Sequence, residues 1–118
     1  MVTDLGSSTP HVERMLTGCD ALVLECNHDG DMLQRGDYPL HLKRRIAARF
    51  GHLDNAASAA LLAALDTRKL QHLIAAHLSQ QNNTPALART ALAGAIGCAE
   101  AGVGVADQDA GFDWRALL

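Results

Sequence analysis

The chain has 118 residues, enough for one domain when globular domains average about 150. Hydrophobic residues make up 48% and charged residues 19%, which excludes intrinsic disorder, and the 3% aromatic share leaves a core to be built from Leu, Ala, Val and Ile. The net charge of −3 excludes a global cationic field, so any attraction for nucleic acid must be local.

Residues 2–5 read as the end of a strand running into Gly6. Ser8-Thr9-Pro10 then opens a helix: a hydroxyl caps free N–H groups, and proline is tolerated at the first helical position. Val12, Met15 and Leu16 give its apolar stripe, and Gly18 ends it. Ala21-Leu22-Val23-Leu24 is a continuous apolar run, as expected of a strand buried on both faces. It runs into the polar cluster Glu25 to Asp29, after which Gly30, Gly36 and Pro39 mark a loop. A helix follows over about 40–50, with Leu42, Ile46 and Phe50 on one stripe and Lys43, Arg44, Arg45 and Arg49 largely off it.

Gly51 to Asn55 is a second polar turn, in which Asp54 or Asn55 caps an Ala/Leu-rich helix over roughly 55–65. Leu70 to Ala76 reads as a strand ending in His77. Thr84-Pro85 repeats the cap-plus-proline signal and opens a helix over about 85–100. Gly94 and Gly97 weaken that helix by about 1 kcal/mol each relative to Ala, in exchange for close packing against a sheet. Val103 to Ala106 is a last short strand, and Phe112 and Trp114 dock the tail. Strands alternate with helices, so the fold class is α/β.

Three cysteines, an odd count without a CxxC pair, argue against a disulfide framework and for a reducing compartment. The N-terminus lacks the charged and apolar regions of a signal peptide, and no apolar run reaches the roughly 18 residues of a membrane span. A cytoplasmic protein is expected, with no membrane partner.

Polar clusters recur at strand ends: Asp4, then Glu25 to Asp29, then His77. In α/β sheets, sites form at the carboxyl ends of strands, and Asp and His are natural ligands of zinc or manganese. Read from spacing alone, these residues are better accounted for as loop caps than as a metal site.

Taken in order, Thr3-Asp4-Leu5-Gly6, Thr9-Pro10-His11, Leu24-Glu25-Cys26-Asn27-His28-Asp29, Gly51-His52-Leu53-Asp54-Asn55 and Ala76-His77-Leu78-Ser79-Gln80-Gln81-Asn82-Asn83-Thr84-Pro85 resemble the C-terminal half of a metallo-β-lactamase-fold hydrolase. Within that superfamily the chain most resembles the bacterial YycJ-type branch of metal-dependent phosphodiesterases, which includes a 5′→3′ double-stranded DNA exonuclease. The resemblance covers about residues 2–115. It implies an α/β half of an αββα sandwich, one small sheet with flanking helices, for the whole of 1–118. The HxHxDH motif of the family's N-terminal half, which supplies most metal ligands, does not occur. Met1 stands just before the matching aspartate, so the expectation is a truncated protein, a separately encoded half or an expressed fragment.

The resemblance also assigns roles. Asp4 matches the aspartate that bridges two divalent ions, zinc or manganese, in the intact parent, and His77 matches the last metal histidine. Glu25 and His52 match an acid–histidine pair beside the metals, in which His52 protonates a leaving oxyanion and Glu25 holds its ring. His28, Asn55 and Asn82 line the substrate, DNA or a nucleotide. With two ligands, the chain alone is expected to hold no metal or an incomplete set, and to be inactive. Lys43, Arg44, Arg45 and Arg49 form the one basic cluster, which reads first as a solvated helix face and second as a phosphate contact. No thiol-nucleophile set surrounds Cys26.

The function expected is therefore phosphodiester hydrolysis by the intact parent. The alternative is a non-catalytic remnant or interaction module that associates through an exposed sheet face, as a homo-oligomer or with the missing N-terminal half.

Overall fold

A computed structural model describes residues 9–47, 52–98 and 102–106. The elements run α1 (Pro10–Leu16), β1 (Ala21–Glu25), α2 (Gly30–Arg35), α3 (Leu40–Ala47), α4 (Asn55–Ala63), β2 (His72–Ala76), α5 (Pro85–Ile96) and β3 (Val103–Val105). The three strands form one parallel sheet in the order β1-β2-β3. The class is α/β, one small sheet with flanking helices. The strand expected at residues 2–5 and the docking of Phe112 and Trp114 lie outside the described residues, as does the end of the helix expected to reach residue 50.

The helix starts follow from local chemistry. Thr9 Oγ1 accepts from Val12 N at 3.2 Å and Thr84 Oγ1 from Leu87 N at 3.2 Å, each followed by proline at the first helical position. Of the two candidates before α4, Asp54 is the cap, its carboxylate accepting from Ala57 N at 2.6 Å. The segment expected as a loop after Asp29 contains α2, capped by Asp29 through Met32 N at 3.1 Å. Its six residues are too few to show a helical period, so the flanking glycines and proline dominate the sequence pattern.

One face of the sheet makes the main core. Leu22 and Leu24 of β1, Leu73 and Ala75 of β2 and Val103 of β3 join Leu61 and Leu62 of α4 and Ala88, Leu92 and Ala93 of α5. Leu24, Leu62 and Leu92 are wholly inaccessible, each worth about 1.5–3 kcal/mol relative to an exposed side chain. The period of two in a strand sends Val23, Ile74 and Gly104, which are in register, to the other face. Ile74 is 2% exposed and Val23 half-buried, so the open apolar sheet face expected for an interaction module is not present at these positions. The large exposed apolar side chains among the described residues, Met15, Leu40 and Leu87, lie on helices.

A second expectation is also corrected. A side chain built at Gly94 or Gly97 would meet nothing within 4 Å, so neither glycine serves close packing. Gly97 instead ends α5 in the left-handed region at φ +68°, where a β-carbon is costly. Among the described residues, no helix is long and apolar enough to cross a membrane.

Candidate active site

Three loops leave the carboxyl ends of β1 and β2 and the amino end of α4, and backbone bonds tie them together. Asn27 N donates to Leu53 O at 3.0 Å, Asn55 N to His28 O at 2.8 Å, Ser79 N to Asn27 O at 2.6 Å and Asp29 N to Asn82 O at 2.8 Å. The side chain of Asn27 adds a bond from Nδ2 to His77 O at 3.1 Å. Segments 25–29, 52–55 and 77–83 thus form one platform at the strand ends, where ligands bind in open α/β sheets.

Glu25 is the centre of this platform. It is the last residue of β1 and is fully buried. Its Oε1 lies 2.8 Å from His52 Nδ1. A carboxylate oxygen accepts from a ring N–H, which puts the proton of this contact on Nδ1. His52 itself is placed by its backbone, which donates to Ile46 O of α3 at 3.1 Å, and its side chain is 37% exposed. A buried acid that orients a partly open imidazole is the arrangement required of a positioned proton donor or acceptor. Ser58 of α4 donates to the Glu25 carbonyl from below.

His77 lies on the same carboxylate. Its Nδ1 is 3.9 Å from Glu25 Oε1, and its side chain is 45% exposed. Its backbone occupies the left-handed region at φ +57°, uncommon for a residue with a β-carbon. Glu25 Oε2 is buried and has no hydrogen-bond partner among the described residues. Buried polar atoms are nearly always satisfied, so the exception marks this carboxylate as a place where a further donor or cation fits.

The expected metal ligand Asp4 lies outside the described residues. Among the described residues, no three His, Cys, Asp or Glu side chains come together in a group able to hold a metal ion. His77 and Glu25 alone fall short of the three or four ligands of a tight site, so these residues do not by themselves build a metal centre.

The three residues expected to line the substrate are buried. His28 is 2% exposed, with Nδ1 3.2 Å from Asn27 Oδ1. Burial holds its imidazole below the ordinary range, against the opposing pull of the Asp54 carboxylate. Asn55 is 4% exposed, and both ends of its amide engage Asn83. Asn82 is 3% exposed and accepts from Asp29 through its carbonyl. Each braces the platform.

Sequence reasoning missed Asn83, which also donates to Cys26 O at 2.8 Å and accepts from Thr84 N at 2.9 Å. The signal available was its place directly before the Thr84-Pro85 helix start. Cys26 is fully buried and its thiol is pushed up to about 12, chiefly by burial, in agreement with the expectation that it is no nucleophile.

A buried acid, two histidines and loops at the carboxyl edge of a parallel sheet define a candidate hydrolytic site, and the chain's relatives are bacterial exodeoxyribonucleases. It is 36% identical over 107 residues to exodeoxyribonuclease YycJ of Bacillus anthracis, a match covering 91% of this chain and 40% of that protein. It is 30% identical over 105 residues to exodeoxyribonuclease WalJ of Streptococcus pneumoniae, covering 89% of this chain and 39% of that protein. The chain is thus related to the YycJ/WalJ exodeoxyribonuclease branch over nearly all its length, and spans about two-fifths of the length of the curated relatives it matches. No family model matches it, and no solved structure does.

Proposed function

We propose that this chain forms part of a nuclease-like hydrolase of DNA phosphodiester bonds, with the metallo-β-lactamase sandwich as the fold of the whole protein. The observation that carries the reading is the 2.8 Å contact between the buried Glu25 and the half-open His52 at the carboxyl edge of the sheet. Leaving-group departure from a phosphodiester puts negative charge on an oxygen, and a positioned acid is what that oxygen needs. With Nδ1–H given to Glu25, a protonated His52 delivers its other proton from Nε2. Glu25 keeps the ring in one orientation and stabilises the imidazolium. His28, Asn55 and Asn82 border the substrate by fixing the loops.

In this reading the whole protein carries two divalent ions, zinc or manganese. This chain contributes Asp4 and His77 to their ligands, and the half bearing HxHxDH supplies the rest. The chain alone is then inactive, and acts when joined to that half, in the cytoplasm.

The test is to express the chain joined to an HxHxDH-bearing half of a YycJ-type protein and follow nucleotide release from duplex DNA. His52→Ala should lower turnover by about 10²–10⁴-fold with bound metal unchanged, as expected for loss of proton donation. Parallel loss of metal and activity would make His52 a ligand or a folding residue and overturn the assignment.

A further inference from the structure

The basic helix α3 is tied to the candidate site: Ile46 O, at its carboxyl end, accepts the backbone N–H of His52 at 3.1 Å. Its cations divide into two kinds. Lys43 Nζ donates to Gln34 O at 2.8 Å and so anchors α3 to the end of α2. Arg44 and Arg45 are exposed, and among the described residues neither makes an ion pair. Arg49 lies outside the described residues. Arg35, at the end of α2 beside the Lys43 anchor, donates to the Asp31 carbonyl at 3.3 Å and adds a further exposed cation near this surface. Arg68 is held by Asp66 at 2.6 Å, and both border a cleft, with Gly18 and Lys69, at the amino edge of the sheet. In a chain of net charge −3, two exposed guanidinium groups on the helix that positions His52, without an ion pair among the described residues, are a local attraction for polyanions.

We propose that the exposed surface of α3 carrying Arg44 and Arg45 is a docking surface for the phosphate backbone of duplex DNA, holding the strand that reaches the His52–Glu25 pair. This rests on the reading of the chain as part of a DNA hydrolase and adds to it a surface and the residues that form it. Arginine suits the task because its planar fork matches two phosphate oxygens, and the contact is independent of base sequence. Each phosphate neutralised releases condensed counterions, so the slope of log affinity against log salt reports the number of contacts.

The test is fluorescence anisotropy of a short labelled DNA duplex with the full chain in EDTA, which separates binding from hydrolysis. Arg44→Ala/Arg45→Ala should reduce the salt slope by about 1.8, for two phosphate contacts at about 0.9 each. Equivalently, between about 50 and 200 mM salt the unmodified chain should lose about 12-fold more affinity than the variant. Arg44→Lys/Arg45→Lys should keep the slope. Arg14→Ala/Lys69→Ala removes the same charge from the amino edge of the sheet and should also leave the slope unchanged. The proposal is overturned if the unmodified chain does not bind at low salt, if the alanine pair leaves the slope unchanged, if the lysine pair loses it, or if the amino-edge pair lowers it equally. Cleavage that fails in the joined protein while these slopes hold would sink the hydrolase and leave the surface standing.

Discussion

Asn55 and Asn83 hold each other by both ends of their amides: Asn55 Nδ2 donates to Asn83 Oδ1 at 2.8 Å, and Asn83 Nδ2 returns a bond to Asn55 Oδ1 at 2.9 Å. The pair joins the first residue of α4 to the residue before the cap of α5, and its spare donor closes on Cys26 O below Glu25. These three bonds are buried, so none of the three partners can turn to water.

Asn83→Ala therefore strands Asn55, Cys26 O and Thr84 N together. We expect a loss of about 3 kcal/mol, since each buried group left unsatisfied costs about 1–3 kcal/mol and some relaxation follows. Urea unfolding at neutral pH measures it. Asn55→Ala/Asn83→Ala should cost less than the sum of its single substitutions, because the second removes groups the first has already orphaned. Strict additivity would show that the reciprocal pair contributes nothing as a pair.

Much of the frame was legible because it rests on short-range chemistry. The Thr-Pro starts of α1 and α5 and the apolar runs of β1 and β2 are local signals, and the structure places these elements within a few residues of their expected bounds. The Glu25–His52 contact was legible through family resemblance alone. It joins residues 27 apart in sequence, and spacing carries no information about such a pair. The burial of Asn55 and Asn82 was not legible. An asparagine in a polar turn looks the same whether its amide faces substrate or is consumed by another amide, as Asn55 is by Asn83. Glycines inside a helix pattern suggest close packing, whereas Gly97 acts through its backbone angle.

The three cysteines should separate by accessibility. Cys98 is exposed, Cys19 is half-buried, and Cys26 is fully buried with its thiol pushed up to about 12 by burial. Only the thiolate attacks a disulfide reagent, so Cys26 should stay unmodified in the native chain at pH 8. Titration with an aromatic disulfide should show Cys98 reacting first and Cys26 reacting only in denaturant. Early labelling of Cys26, located by peptide mass, would mean that the strand end opens far more readily than its packing implies.

Gly36 should not tolerate a side chain, although its φ of −76° is open to any residue. A β-carbon there would lie 2.8 Å from Asn82 Oδ1 and 2.9 Å from Met32 O. The second contact is helix backbone and cannot step aside cheaply. Gly36→Ala should cost about 1–3 kcal/mol through overpacking, against the small gain usual for this substitution at a compatible site. A raised melting temperature would show that the 79–83 turn has room to retreat.

Acid should destabilise the chain in part through His28. Burial favours its neutral form, with His52 acting in the same sense, while Asp54, Glu25 and Asp29 pull the other way without prevailing, so its folded pKa lies below the ordinary value. In the unfolded chain the same imidazole takes up a proton as pH falls through about 6.5. Over that interval the unfolded state binds more protons than the folded one, so stability rises with pH there and is lost on acidification, until the folded pKa is reached. His28→Asn keeps a donor for Asn27 Oδ1, now 3.2 Å from Nδ1, and removes the titration. Urea midpoints measured from pH 7.5 to pH 5 should fall less steeply for this variant than for the unmodified chain, with the difference opening below about pH 6.5. Parallel curves for the two proteins would place the acid sensitivity in other groups and show that His28 protonates in the folded state as easily as in water.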